Sequence, residues 1–350
     1  PANTESLVFS HHYKLDYAQQ FTADCYEGGY TMLTLTESGE QFLVTPEDAA
    51  EVEGLPESVT VLRQPVRNIY LVSTSVMDLI LHLDALDSVT LSGTKAEGWY
   101  LPEAKQAMEA GRIAYAGKYS APDYEQILAA NCGLAIENTM ILHTPEVKEQ
   151  LEHFGIPVLV ERSSYESGPL ERMEWIKLYA ALLDKEDEAE ALFNEKMDSV
   201  ADVLEQQPTG KTVAFFYITS SGAVNVRKST DYVAKCVAIA GGDYVSFDES
   251  AEDNAQSTIN IQMESFYHGA VDADVLIYNS IIDGELHTLD ELVALDPLMA
   301  DFKAVKSGNV WCLTKNFYQE SLELSDLILD VNHALNDAPD TAFHFLTRMK

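Results

Sequence analysis

Ser167-Gly168-Pro169-Leu170-Glu171 reads as the start of a helix. Proline suits the first helical position, and a glutamate in the first turn suits the positive end of the helix dipole. Leu170, Met173, Ile176 and Leu183 then mark an apolar stripe. After Asp184 a second stripe runs through Ala189, Leu192, Phe193, Met197, Val200 and Leu204, until Pro208-Thr209-Gly210 ends it. The spacing predicts helix from Pro169 to about Leu204, in two segments. A Gly/Ser linker would flex widely, whereas a helix acts as a strut. A preformed cleft with limited hinge motion is the expectation.

Both flanks of this strut alternate strands with helices. Upstream, Ile69-Tyr70-Leu71-Val72-Ser73 is a short buried strand, and Val76, Leu79, Ile80 and Leu83 repeat at helical spacing. Strands at Gly133–Ile136 and Pro157–Val160 enclose a helix from Pro145 to Phe154. Downstream, strands are expected at Val213–Tyr217, Asp274–Tyr278 and Asn309–Leu313. Tyr232 to Ala240 reads as a helix closed by Gly241-Gly242, and Leu322 to Leu335 as the closing helix. The pattern implies βαβ units and mainly parallel sheets, hence α/β, with two Rossmann-like lobes bridged by a long helix. The expected division is residues 1–166 for the first lobe, 167–207 for the strut and its following helix, and 208–350 for the second lobe. An extra β-rich N-terminal segment precedes this pattern, with Tyr30–Leu35 and Gln41–Val44 forming a hairpin around Glu37-Ser38-Gly39-Glu40.

Composition sets limits. The chain has 350 residues, enough for two domains. Asp+Glu total 57 against 22 Lys+Arg, a formal net charge of −35. Nucleic acid and anionic lipid both require basic surfaces, so neither is an expected partner. There is no apolar run long enough to span a bilayer. Pro1–Ser6 has neither a basic n-region nor an apolar h-region and does not read as a signal peptide, although a trimmed start would look the same. Cys25, Cys132, Cys236 and Cys312 form no CxxC pair, and Cys132 and Cys236 lie in apolar runs as expected of buried thiols.

The two flanks echo one another. Pro122-Asp123-Tyr124-Glu125-Gln126-Ile127-Leu128 leads to one strand, and Asn260-Ile261-Gln262-Met263-Glu264-Ser265-Phe266 to another. Each places a glutamate early on a short helix. Either the two mark a shared surface position, or glutamate simply favours a first helical turn. Further motifs are Phe154-Gly155-Ile156-Pro157-Val158, Glu186–Phe193 and Ala304-Val305-Lys306-Ser307-Gly308-Asn309-Val310.

In their order and spacing, from roughly Arg67 to Leu335, these segments resemble the helical-backbone, class III periplasmic-binding proteins. That family comprises the iron-siderophore, haem and cobalamin receptors of ABC importers. The resemblance implies an extracytoplasmic solute receptor, periplasmic or held at the cell surface by a lipid anchor not present in this chain. It implies a monomer whose partners are an ABC permease and a small-molecule metal chelate, with no resident cofactor. Glu125 and Glu264 would dock on permease arginines. A ferric siderophore is the first expected cargo, and a corrinoid or haem the next. Two features depart from the family pattern: Asn131-Cys132-Gly133 stands where Pro-Asp is usual, and the β-rich stretch before Arg67 is long.

Ligands of open α/β sheets bind beyond the carboxyl ends of the strands. In the first lobe those loops offer Ser75, Asn138, Arg162, Ser163 and Tyr165. In the second they offer Tyr217, Ser220, Asn279, Lys315 and Tyr318, with Arg227 as a further cation. Trp99-Tyr100 precedes Pro102, where the indole either caps a flat ligand or anchors its loop. Arg162 either grips a carboxylate or catecholate, or pairs with Glu161 or Glu166. No GxSxG, HExxH, P-loop or GxGxxG fingerprint occurs, and the histidines lack metal-ligand spacing. A chelatase-like enzyme on a related two-lobed fold is the alternative, and it would need a His or carboxylate cluster.

Overall fold

The computed structural model describes residues 7–247, 257–282, 284–339 and 342–350. The opening Pro1–Ser6 lies outside them. The chain forms two compact units. One comprises 1–166, 170–194 and 319–322, and the other 167–169, 195–318 and 323–350.

The first unit contains a five-stranded sheet in the order Val158–Val160, Leu134–Glu137, Ile69–Leu71, Val89–Ser92, Ala114–Tyr115, parallel throughout. Strands Ile69–Leu71 and Val158–Val160, and Leu134–Ile136 between them, are apolar and buried on both faces, as a sheet covered on both sides requires. Helices Thr74–His82 and Pro145–His153 form where the spacing predicts them. Strand Val89–Ser92 and helix Pro102–Glu109 carry too few apolar residues to be read from sequence.

The second unit is more mixed than expected. Asp243–Tyr244, Thr212–Ile218, Val275–Asn279 and Val310–Leu313 are its parallel strands. Val224–Arg227, Thr258–Ile261 and Leu346–Arg348 add antiparallel edges. The chain therefore closes on a strand, not on helix Leu324–Leu335. Helix Tyr232–Ile239 stops as read, with Gly241 at a φ of 86° that a side chain would resist.

The expected helical strut is present, with one interruption more than the two segments read from the sequence. It consists of three helices, Pro169–Glu174, Ile176–Leu183 and Glu186–Glu205. The break at Asp184 is present, with that residue left-handed at φ 60°. The additional break is at Trp175. Helix Ile176–Leu183 is buried on every side, so it belongs to the first unit's core and is not an amphipathic strut. Only Glu186–Glu205 is long. The division between units falls inside it, after Asn194.

The N-terminal hairpin is also larger than read. Phe9–His12, Phe21–Tyr26, Tyr30–Leu35, Gln41–Thr45 and Val59–Arg63 form one sheet in chain order. The last pair is parallel and the others antiparallel. Two buried carboxylates fasten this sheet to the central helices. Glu174 accepts the backbone N–H groups of Asp16, Tyr17 and Ala18 at 2.7–2.8 Å. Glu166 accepts those of Gln19 and Gln20, and the Trp175 indole N–H at 2.9 Å. Lys177, fully buried, donates to Glu174 at 3.0 Å, to the Lys14 carbonyl at 3.1 Å, and pairs with Glu190. A carboxylate out of water is tolerable only when its lone pairs are filled in this way. Glu174→Ala would leave three N–H groups without their acceptor and the buried Lys177 ammonium with only the Lys14 carbonyl and Glu190. We expect a loss of about 3–5 kcal/mol, read as a lower urea midpoint. A loss below about 1 kcal/mol would show that the latch does not hold the fold.

Candidate functional site

In each unit the parallel strands end on one edge, and the loops there carry most of the residues singled out above. In the first unit, Ser73 precedes helix Thr74–His82, and its hydroxyl lies 3.1 Å from that of Ser75. The Ser75 carbonyl accepts from Ser321 at 2.6 Å. Asn138 caps the 3₁₀ turn Thr139–His143 by accepting from the Met140 N–H at 2.9 Å. Tyr165 is exposed, and Ser163 donates its N–H to Glu161 at 2.6 Å. Trp99 is only 3 % exposed, the burial that a loop anchor has. Tyr100 is exposed, and its N–H donates to Gln319, whose amide returns a bond to the Gly98 carbonyl.

Arg162 is buried, and its ion-pair partner is neither Glu161 nor Glu166. It binds Glu37, from the turn of the N-terminal hairpin, and lies 5.6 Å from the Tyr165 ring centroid. Glu166 is occupied by the Gln19 and Gln20 N–H groups, and Glu161 by Ser163. Sequence distance concealed the Glu37 partner.

Two buried acids stand at the ends of neighbouring strands. Burial pushes the Glu161 carboxyl up, against the pull of Ser163, Arg172 and Ser73. Glu137, the last residue of strand Leu134–Glu137, is fully buried, with no hydrogen-bond partner on either oxygen. Desolvation alone pushes it up to about 8.

In the second unit three of the expected residues meet. Arg227 donates to the Tyr318 hydroxyl at 3.1 Å, and that hydroxyl donates to Asn279 Oδ1 at 3.1 Å. Arg227 also contacts Asp231 and Ser257. Asn279 ends strand Val275–Asn279, Tyr318 ends the 3₁₀ turn Lys315–Tyr318, and Arg227 ends strand Val224–Arg227. Burial raises the Tyr318 phenol, so it stays protonated and can donate. Tyr217 is half-buried near the end of Thr212–Ile218, and Ser220 is exposed in the following turn. Lys315 lies at the start of its turn, its N–H on Glu285. Ser220 and Lys315 stand outside the Arg227 cluster's hydrogen bonds.

Sequence reading passed over Met140, Leu142, Ile281 and Ile282. All four are exposed, and they sit in the first turn after strands Leu134–Glu137 and Val275–Asn279. The signal was there: Ile281-Ile282 directly follows Asn279-Ser280, where a turn would normally be polar. Among the described residues no group of three His, Cys, Asp or Glu side chains could hold a metal ion. Cys25, Cys132, Cys236 and Cys312 are unbridged, with Cys236 buried and Cys132 half-buried.

Glu125 and Glu264 are matched in position. Each is the second residue of a short helix, Tyr124–Ala129 in the first unit and Met263–Ala270 in the second. Each is exposed.

A family model described as periplasmic binding protein matches residues 69–316. An uncharacterised lipoprotein of Methanocaldococcus jannaschii is 26 % identical over 309 residues, covering 83 % of this chain and 71 % of its own. Among solved structures, a periplasmic heme-binding protein of Pseudomonas aeruginosa has a TM-score of 0.59 at 17 % identity, over 81 % of this chain and 98 % of its own. The vitamin B12-binding protein BtuF of Vibrio cholerae has a TM-score of 0.56 at 14 % identity, over 78 % and 98 %. The matched region begins at the strand Ile69–Leu71 and leaves out the N-terminal sheet.

The Glu137 carboxyl gives a pH signature. Its folded pKa, about 8, lies above the ordinary 4.5. Between these values the folded state holds the extra proton. Its stabilising contribution is therefore complete below about pH 4.5 and is lost as pH rises through 8. We expect unfolding free energy to fall by about 3–5 kcal/mol across that window from this group. Glu137→Gln should flatten the dependence; an unchanged slope would contradict the assignment.

Proposed function

The chain belongs to the periplasmic binding protein family, and on that premise we propose that it captures a metal chelate and delivers it to an ABC permease. The observation that carries the delivery step is the pair of exposed glutamates, one on each unit at the same helical position. Two carboxylates so placed suit a permease surface bearing two basic sites. The strand-end loops, with their hydroxyls, amides and aromatics, suit an organic ligand held by a few polar groups. The family match and the lipoprotein name of its relative suit an extracytoplasmic setting. Among the described residues no helix is long and apolar enough to cross a membrane. A lipid anchor outside the sequence described would keep the receptor near its permease. The receptor would work as a monomer. Ferric siderophore, corrinoid and haem are the cargo classes in question.

Reversing both glutamates tests the delivery step. Glu125→Lys with Glu264→Lys would set like charges against the permease, at a cost of several kcal/mol. Uptake in cells carrying the cognate importer should fall by roughly a hundredfold or more. Ligand affinity measured on the purified variant should stay within about twofold, since neither side chain lies on the strand-end loops. Collapse of the affinity would place the glutamates in the ligand site and remove the docking role.

A further inference from the structure

We propose that Glu137 is a proton-controlled lock beneath helix Tyr124–Ala129: neutral, it lets that helix pack on the sheet, and ionised, it drives the helix off. The lock lies wholly within the first unit. Its consequence for delivery rests on the docking reading above, because the same helix carries Glu125.

Side chains alternate along a strand, so Glu137 shares the sheet face of Ala135. Ala135 pairs with Tyr70 on one side and Val158 on the other, and Glu137 pairs with Val160. Those four neighbours belong to the core that Ile127, Ile141, Val147 and Leu151 complete, with Tyr124 packed against it. The Glu137 carboxyl is fully buried, and neither of its oxygens has a hydrogen-bond partner. Elsewhere in this unit, backbone N–H groups fill the carboxylates of Glu166 and Glu174. An unfilled carboxyl is tolerable only while it is neutral.

The titratable groups around it supply no compensating cation. Strand Ile69–Leu71 brings Tyr70, whose hydroxyl donates to the Gly117 carbonyl at 2.8 Å and which has Tyr115 and Cys132 nearby. The helix brings Tyr124, whose phenol is raised by burial and then by the charges of Glu137 and Glu146. Helix Pro145–His153 carries that Glu146, and its Lys148 is paired with Glu40 and Glu152. Lys118 and His143 are exposed.

The cover yields more readily than the strand. Strand Leu134–Glu137 is paired on both sides, and the Glu137 carbonyl accepts the Glu161 N–H at 2.8 Å. Helix Pro145–His153 buries Val147 and Leu151, whereas Tyr124–Ala129 buries Ile127 alone. A six-residue helix held by one buried side chain opens at least cost. Opening it admits water to the carboxyl and releases the proton, so rising pH favours the open form.

Amide hydrogen exchange of the purified chain, expressed as protection factors at pH 5 and pH 8, tests this. A carboxyl that titrates at 4.5 when the helix is open and at about 8 when it is closed raises the opening constant by about a hundredfold or more over that interval. The amides of Ile127 to Ala130 should lose protection by that factor, while those of Leu151 and Glu152 keep theirs. Glu137→Gln should abolish the dependence, with Glu137→Leu as the variant if the buried amide prevents folding. Equal protection at both pH values would overturn the lock. So would a loss confined to the turn at 139–143, a loss shared by helix Pro145–His153, or one that persists in the variants. No permease takes part in the exchange measurement, so it stands or falls apart from the docking reading, which the uptake of the Glu125/Glu264 double variant decides.

Discussion

Two buried carboxylates, Glu166 and Glu174, are the constraint around which the first unit is organised. Together they accept five consecutive backbone N–H groups, from Asp16 to Gln20, and the indole of Trp175. Lys177 neutralises Glu174 from a position with no exposed side-chain surface. Ions so deeply placed are costly unless every lone pair is used. The strap at 16–20 exists in its observed conformation because the carboxylates demand it, and the carboxylates are tolerable because the strap is there. Phe21 then packs edge-on against Trp175, with ring centroids 5.1 Å apart. The N-terminal sheet, which lies outside the family match, is thereby fixed to the helices at 169–183 and is not a loose appendage.

That attachment reaches the candidate ligand surface. The hairpin turn of the same sheet supplies Glu37, which holds Arg162 at the end of strand Val158–Val160. Arg162, which the sequence leaves open between a ligand and a neighbouring carboxylate, has its ion pair with this distant glutamate. The second unit reaches a similar result by a different route, since Asp231 and Tyr318 hold Arg227. Each of these guanidinium groups therefore sits in an ion pair within its own unit, with its Nε buried and without a hydrogen-bond partner.

What could be read from the sequence was whatever periodicity and turn chemistry encode locally. Strands Ile69–Leu71 and Val310–Leu313 are dense apolar runs, and the stops at Asp184 and Gly241 carry residues that accept a left-handed backbone. Non-local structure was illegible. Val224–Arg227 and Thr258–Ile261 alternate too briefly to stand out, and pairing with each other completes them. The interruption at Trp175 is one residue whose backbone stays right-handed helical, with no proline or glycine to signal it. Among site residues, Asn279, Tyr318 and Arg227 were found because each ends or follows a strand or turn in a polar loop. Their mutual bonds, and the Glu37 partner of Arg162, span long sequence separations that no spacing rule covers. Glu137 does not stand out in the sequence, because burial is a property of packing and not of its neighbours in the chain.

The receptor claim is tested most directly by what the protein carries. Native mass spectrometry with elemental analysis, on the chain isolated from its own source, should find one small metal-containing species at one per chain. Denaturation should release that species unaltered, since a receptor surrenders what it bound. An isolated protein that carries no solute, and instead converts an added chelate into metal and free ligand, would contradict a role in capture and delivery.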